Sequence, residues 1–157
     1  MVSPELLRPY SFFGSFDDDE LKAIAMLADE VTVEDGTTLF ESGQPAEYLY
    51  LLLEGEIEWH YDAIDPAHTE RSRDFLIEYF SPGEPLGISA VLEPYVYLGR
   101  ADVRSRSRLV RMEGPRLRAL CELDTGMGPT LMRQIVKVAV SRLVRMRALL
   151  AAARAQP

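Results

Sequence analysis

Few side chains in this 157-residue sequence could carry out chemistry. Two scattered histidines, His60 and His68, are too few for a zinc site, which needs three or four protein ligands. Cys121 is the only cysteine, which excludes an intramolecular disulfide, and its neighbours Leu117 and Leu120 predict a buried, unreactive thiol. Neither a nucleophile elbow nor a P-loop is present. We therefore expect no enzyme activity, no metal and no catalytic residue.

The elements that must position any site begin with a helical part over residues 1–30. One of the three aspartates at 17–19 can cap a helix, and Leu21 and Ile24 recur at helical spacing. This helix is expected to end near Asp29. With 47% apolar and 27% charged residues, the composition is that of an ordinary globular chain, and its length predicts one domain over residues 1–157.

Between residues 31 and 113 the apolar period changes to two, which is typical of strands. Short strands are predicted at residues 31–33, 38–40, 48–53, 56–61, 75–80, 102–107 and 109–112. The stretch of residues 62–72 contains Pro66 and predicts a hairpin loop that holds His68, whereas His60 is expected to face solvent from its strand. About eight strands on this spacing predict a sandwich or barrel.

Residues 115–153 return to a helical pattern, and Pro129 suits the first turn of the last helix. Two apolar lines run along that helix. One is a heptad seam of Met132, Val136, Ala139, Leu143, Met146 and Leu150, and the other consists of Leu131, Ile135 and Val138. We expect the second line to pack on the β-structure and the seam to pair with a second copy, giving a homodimer. The alternative is that the seam also packs on its own chain.

Charge is divided unevenly along the sequence. Residues 1–99 hold 21 acidic and 4 basic residues, and residues 100–157 hold 4 and 13, within a net charge of −8. The two halves are expected to neutralise each other across adjoining strands, the alternative being a basic patch for an acidic partner. The acidic total argues against direct nucleic-acid binding. With neither a signal peptide nor a membrane span predicted, a cytoplasmic location is expected.

One segment of the sequence indicates a protein family. Residues 39–55 place glycine corners at Gly43 and Gly55, a small residue at Ala46 and a core strand of aromatic and leucine residues between them. The segment resembles the first signature of the cyclic-nucleotide-binding domains, such as the effector domains of catabolite activator protein and Fnr-type regulators. The resemblance extends over nearly the whole chain. It implies a double-stranded β-helix, or jelly roll, with an N-terminal helix and a long C-terminal helix.

The resemblance also implies a phosphate-binding cassette. Gly87 matches the cassette glycine, and backbone amides around Ile88, Ser89 and Ala90 would receive a phosphate at a helix start, with the Ser89 hydroxyl as a further donor. Arg100 followed by Ala101 matches the arginine and small residue that complete the cassette. A cyclic nucleotide or another small anion is thus the ligand that the family suggests.

The cassette departs from the family in two places. Ile88 stands where the family's glutamate accepts a hydrogen bond from the ribose hydroxyl. Arg100 lies one residue later than the family's arginine, and a slip of one residue on a strand turns a side chain to the other face. A bulge near Gly99 would restore its direction; otherwise Arg100 is a solvated strand residue. Losing both contacts would weaken cyclic-nucleotide binding by roughly two to three decades.

Two functions follow from these observations. The first is a regulatory, ligand-sensing domain that binds an anionic small molecule at the divergent cassette and moves the last helix. The second is a ligand-free dimerisation or interaction module on the same fold. The relatives that bind DNA need a helix-turn-helix after the long helix, and none follows it here, so we expect no direct contact with nucleic acid.

Overall fold

The computed structural model describes residues 1–64 and 72–157 of the chain, with the side chains at positions 63, 64, 72 and 73 left out. His68 and most of the predicted hairpin loop lie outside the described residues. The flanking strands reach further into that loop than predicted, to Ile64 on one side and from Ser72 on the other.

Helices stand at both ends of the chain. The N-terminal part holds α1 (Pro4–Leu7), a 3-10 turn (Ser11–Phe13) and α2 (Asp18–Leu27), and the C-terminal part holds α3 (Gly114–Leu123) and α4 (Met127–Ala155). Asp17 caps α2 in a capping box, accepting from the Glu20 amide while the Glu20 carboxylate accepts from the Asp17 amide, both at 2.8 Å. The helix ends at Leu27, slightly before the predicted end, because the chain enters its first strand at Ala28.

The described residues between these helices form eight strands. They are β1 (Ala28–Val33), β2 (Thr38–Phe40), β3 (Tyr48–Glu54), β4 (Ile57–Ile64), β5 (Ser72–Phe80), β6 (Pro85–Leu86), β7 (Arg100–Val103) and β8 (Ser107–Glu113). They build two antiparallel four-stranded sheets in the orders β1-β8-β3-β6 and β2-β7-β4-β5. The prediction of a mainly β jelly roll with flanking helices is confirmed.

The last two strands of the roll begin and end at other residues than predicted. The sequence predicted strands at residues 102–107 and 109–112, but β7 begins at Arg100, and residues 104–106 form the connection to β8. The alternation of Arg104 and Arg106 with serines imitates a strand. These arginines instead reach acidic partners on neighbouring segments, Glu58 and Glu34.

The corner at Gly55 shows why a glycine is needed there. Its φ is +108°, and a Cβ would lie 2.1 Å from the Ser107 hydroxyl oxygen. This close approach lets β3 turn into β4 beside the start of β8. Gly55 therefore has a structural role, as the first signature predicted.

The opposite charges of the two halves are interleaved by the topology. β8 lies between β1 and β3, which carry acidic residues, and Arg100 of β7 lies beside β4, which carries Glu58 and Asp62. Arg108 contacts Glu30 on β1 and Glu54 on β3. These exposed pairs each contribute little to stability, on the order of 1 kcal/mol or less. They nevertheless explain how the uneven charge of the sequence is neutralised within the fold.

The core fills the space between the sheets and extends under both helical parts. Leu49, Leu51, Ile57 and Leu109 are fully buried in the roll. From α4, Leu131 and Ile135 are 2% exposed, and Val138 packs partly against the same core. The second apolar line of α4 thus fixes the helix to its own roll.

Candidate functional site

The cassette begins at Gly87, which has a left-handed backbone with φ +73°. A Cβ at this position would lie 2.9 Å from the Tyr48 carbonyl oxygen and 3.1 Å from the Tyr97 ring. Only glycine fits this corner, because both the backbone conformation and the space exclude a side chain. Gly87 therefore sets the direction in which the chain leaves β6.

The segment after Gly87 is a 3-10 helix of four residues, Ile88–Val91, and not an α-helix. The Ala90 amide donates to the Gly87 carbonyl at 3.1 Å, so it is already bonded within the turn. Ala90 is fully buried, whereas Ile88 and Ser89 are half-buried. Of the three amides that the sequence suggested for an anion, that of Ala90 is thus committed to the protein.

A small cavity of about 40 Å³ lies beside the cassette, inside the roll. Aromatic and cassette residues line it together with one arginine. They are Phe40, Trp59, Phe80, Gly87, Ile88, Ser89, Tyr97, Leu98, Gly99 and Arg142. Space of this size exceeds one water molecule, at about 30 Å³, but is far below the ~300 Å³ at which small-molecule pockets begin.

Stacked aromatic rings occupy much of the interior. The rings of Phe40 and Tyr97 stack with centroids 3.9 Å apart, and those of Trp59 and Phe80 lie 6.0 Å apart. The Tyr97 hydroxyl donates to the Tyr48 carbonyl at 2.8 Å and accepts from the Tyr48 amide. Burial raises the pKa of Tyr97 to about 12, so its hydroxyl stays neutral and its ring stays fixed.

Arg142 is the residue that the sequence did not reveal. It projects from α4 into the roll, is 9% exposed, and places its guanidinium carbon 5.5 Å from the Trp59 ring centroid and 5.1 Å from that of Phe80. Its Nη2 donates to the Pro85 carbonyl. Within the described part of the chain, its Nε has no hydrogen-bond partner and lies 3.9 Å from a Glu78 oxygen.

Burial lowers the pKa of Arg142, with the nearby Glu78 and Glu84 acting in the opposite direction. A signal for this residue does exist in the sequence. Arg142 continues the inward line of Leu131, Ile135 and Val138 at a helical spacing of four, so an arginine stands where the pattern predicts an apolar residue.

Arg100 lies on the outer face of its sheet and does not line the cavity. Its Nε donates to Asp102 and its Nη2 to Asp74, both at 2.9 Å, and Asp62 lies 3.6 Å away. Its neighbour Ala101 is fully buried opposite Trp59, so alternation along the strand directs Arg100 outward. The register of this sheet shifts between Trp59 and His60 against β5, and between Thr38 and Phe40 against β7; both shifts leave Arg100 outside.

The same outer face holds His60, which is 7% exposed rather than facing solvent as predicted. Its Nδ1 lies 3.0 Å from an Asp74 oxygen and its Nε2 lies 2.8 Å from a Glu58 oxygen. Hydrogen bonds to His60 and Arg104 lower the pKa of Glu58, and hydrogen bonds to Arg100 and His60 lower the pKa of Asp74. Arg100 is therefore part of an ionic network, and this environment differs from that of an anion ligand.

The heptad seam of α4 divides between two environments. Met132 and Met146 are half-buried, with Met132 packed partly against the roll, whereas Ala139 is exposed. The exposed apolar residues define an outward face of Val136, Val140, Leu143, Val144 and Leu150, each between 52% and 58% exposed. Relative to the predicted seam, this face is rotated away from the methionines because the roll covers them.

The remaining side chains offer little further chemistry among the described residues. They contain no cluster of histidine, cysteine and acidic side chains that could hold a metal ion. Cys121 is half-buried rather than fully buried, and burial raises the pKa of its thiol, which disfavours the reactive thiolate. In the same part of the chain, no helix is long and apolar enough to cross a membrane.

Solved structures with the same architecture are numerous. A protein described as a cyclic nucleotide-binding protein from Geobacter metallireducens GS-15 is 33% identical, with a TM-score of 0.78, and the match covers 91% of this chain and 99% of that one. A cyclic nucleotide-binding domain from Methylobacillus flagellatus KT is 15% identical, with a TM-score of 0.78 over 94% of this chain and 80% of that one.

A third structure is CLP from Xanthomonas campestris, described as a c-di-GMP-responsive global regulator. It is 19% identical, with a TM-score of 0.69, and the match covers 90% of this chain and 66% of that one. At this identity the likeness shows a shared fold.

No curated protein sequence gives a significant match. The family model of the cyclic nucleotide-binding domain, however, matches residues 30–124, which include both glycine corners, the cassette and β8. Together with the structural match at 33% identity, this covers well over half of the sequence. The chain therefore belongs to the cyclic nucleotide-binding domain family.

Proposed function

We propose that this protein is a non-catalytic regulatory domain whose ligand pocket is filled by its own Arg142 and which acts through α4, as a homodimer. The observation that carries the proposal is the position of Arg142, whose guanidinium lies among Trp59, Phe80 and the cassette. The remaining cavity of about 40 Å³ cannot hold a nucleotide.

The recognition groups also argue against ordinary cyclic-nucleotide sensing. Ile88 stands at the family's glutamate position, and it packs partly against the core instead of offering an acceptor. Arg100 is held by acidic partners outside the roll. A cyclic nucleotide would therefore have to displace Arg142 while gaining neither of the two contacts that favour it in the family.

Filling by Arg142 would couple the pocket to the helix. Because Arg142 belongs to α4, any ligand that enters the roll has to move this side chain, and with it the balance between helix positions. Such a ligand would shift α4 only by its differential affinity for the two positions. The pocket and the helix would thus form one regulatory unit. Its resting state would be the one in which Arg142 fills the pocket and no ligand is bound.

The outward face of α4 supports the homodimer. Five apolar residues at 52–58% exposure lie on one side of the 29-residue helix, with Arg147 among them, and the opposite side is buried between Met127 and Arg142. A contiguous apolar surface on a folded protein marks an interface, and heptad spacing suits a second copy of the same helix. We therefore assign this face to α4 of a second subunit.

Ligand binding in the pocket can be followed by the fluorescence of Trp59, which lines the cavity and is the only tryptophan. Calorimetry and Trp59 fluorescence would follow titrations with cyclic AMP, cyclic GMP and cyclic di-GMP. We expect no binding by the wild type and measurable binding by Arg142→Ala, in which the interior is opened. Arg147→Ala, which removes the same type of side chain outside the cavity lining, should behave like the wild type. Micromolar binding by the wild type would contradict the filled pocket.

A second candidate function is the sensing of a small anion with Arg142 as its cation. The unpartnered Nε of Arg142 and the Ser89 side chain lie at the same cavity, which favours this alternative. The same titrations separate the two functions, since they predict opposite effects. If Arg142 binds an anion, the wild type and Arg142→Lys should bind and Arg142→Ala should not.

The homodimer is tested by sedimentation velocity. Leu143→Asp introduces a charge into the centre of the outward face, and we expect it to shift the mass from dimer to monomer. Leu123→Asp is the matched control, because Leu123 is 85% exposed at the end of α3, away from the outward face. A wild type that sediments as a monomer, or a Leu143→Asp variant with unchanged mass, would remove the assignment.

A further inference from the structure

A second, larger cavity lies outside the roll, where three parts of the chain meet. This cleft of about 300 Å³ is bounded by Ser11 and Phe12 of the N-terminal part, by residues 83–85 of the turn before β6, and by α4. Its size reaches the lower limit of small-molecule pockets. It does not include the cassette glycine, so it is distinct from the pocket inside the roll.

The cleft has an apolar wall. Phe12 is 4% exposed, Pro85 is buried, and Val138 of α4 is half-buried. These three side chains belong to three separate segments, and together they offer an apolar surface that a ligand could cover. A ligand with a hydrocarbon chain that covers this wall would bind more tightly with each methylene group removed from water.

The polar side chains of the cleft are mainly cationic. Lys137 is exposed and forms no ion pair with the described residues. Arg145 is paired with Glu78 and also lies 3.3 Å from Glu84 of the cleft. Arg142, more than nine-tenths buried, also lines the cleft, and its Nε has no hydrogen-bond partner among the described residues. Arg142 and Arg145 also lie beside Glu78, which is outside the lining. The excess positive charge of the cleft therefore comes from Lys137.

We propose that this cleft binds a small organic anion, with its carboxylate or phosphate group at Lys137 and its apolar part against Phe12 and Val138. The charge excess selects for an anion, and the apolar wall selects for one with a hydrocarbon body. Because the walls come from the N-terminal part, the roll and α4, the bound anion fixes α4 to both other parts. This site goes beyond the proposed function and does not require the roll interior to be open.

The experiment is an NMR titration of the full chain with three probes: octanoate, which has charge and a tail; inorganic phosphate, which has charge alone; and 1-octanol, which has a tail alone. We expect saturable amide shifts at residues 11–12, 83–85 and 137–141 with octanoate, with a dissociation constant on the order of 1 mM or below. Phosphate and octanol should each bind about tenfold more weakly. Octyl phosphate then shows which head group is preferred.

A matched pair of variants tests the position of the anion. Lys137→Gln should weaken octanoate binding by about two- to fivefold, the range of an exposed ion pair. Arg154→Gln removes the same charge from the same helix outside the cleft lining and should leave binding unchanged. The Trp59 indole signal should stay in place, since it reports on the roll interior.

The possible results are distinguishable. Equal binding of octanol would overturn the role of charge, and equal binding of phosphate would reduce the site to a simple anion site. Octanoate shifts centred on Trp59, an unchanged affinity in Lys137→Gln, or the absence of shifts with every probe would each overturn the cleft. None of these results alters the test of the filled pocket, which depends on cyclic nucleotides and Arg142→Ala.

Discussion

Two arginines, Arg142 inside the roll and Arg100 on its outer face, show how differently this protein treats a positive charge. Arg100 donates hydrogen bonds to the carboxylates of Asp74 and Asp102. Arg142 lies between aromatic rings, donates one hydrogen bond to a carbonyl, and has its nearest carboxylate oxygen 3.9 Å away. Hydrogen bonds to carboxylates raise the pKa of Arg100, and burial lowers that of Arg142.

The difference teaches where regulation can reside. A charge that is fully paired on a surface holds strands together and has little reason to move. A buried charge with incomplete partners is costly, and it can be released by a change in its surroundings. Arg142 is the kind of residue that a ligand or a helix movement could displace, whereas Arg100 is not.

The largest expected effect concerns Glu78, the acidic residue nearest to Arg142. Its side chain is 10% exposed and also forms two hydrogen bonds with Arg145. Glu78→Gln removes the opposite charge nearest to the buried guanidinium and leaves only the weaker influence of Glu84, so we expect the free energy of unfolding to fall by about 3 kcal/mol. Urea denaturation measures this loss. Glu30→Gln, at an exposed pair with Arg108, is the control and should cost less than 1 kcal/mol.

The next test compares the two arginines directly through the same substitution. Arg142→Met keeps the volume and leaves Glu78 paired with Arg145, so we expect the free energy of unfolding to stay within about 1 kcal/mol of the wild type. Arg100→Met leaves Asp74 and Asp102 without their shared cation and should cost about 1–2 kcal/mol. If Arg142→Met were the more damaging variant in urea denaturation, the contrast between the two sites would be wrong.

The smallest effect is a pH dependence of the outer network. The carboxyl pKa values of Glu58 and Asp74 are lowered in the folded state, so their contribution to stability is present above their ordinary values near 4. It is lost as the pH falls through the lowered values. We expect unfolding measured from pH 6 to pH 3 to show a steeper loss of stability in the wild type than in Asp74→Asn. Parallel curves for the two proteins would exclude a contribution of Asp74 to the pH dependence.

Much of the fold could be predicted because it depends on local pattern. The period-two alternation of residues 31–113, the corner at Gly55 and the two apolar lines of α4 were all visible in the sequence. The register near Arg100 was uncertain, since a single bulge decides which face a strand residue occupies. The burial of His60 was missed because its carboxylate partners include Asp74, on another strand.

The candidate site was predictable only in part. Gly87 was recognised from its match to the family, and its tight corner explains the match. The contact of Arg142 with two aromatic rings was missed because no local pattern relates these residues. Arg142 lies 83 residues after Trp59 and 62 after Phe80 along the chain. The assignment of residues 1–157 to one domain and the cytoplasmic location remain predictions.

The sequence by itself determined the family, the jelly roll and the replacement of the family's glutamate by Ile88, because these follow from residue types at defined spacings. Only the tertiary structure decided where the two arginines point. Side-chain direction depends on how strands alternate and how α4 is seated, and these place Arg100 among carboxylates outside and Arg142 among aromatic rings inside. Beside the cassette they leave a cavity of about 40 Å³ that Arg142 of the chain's own last helix helps to line.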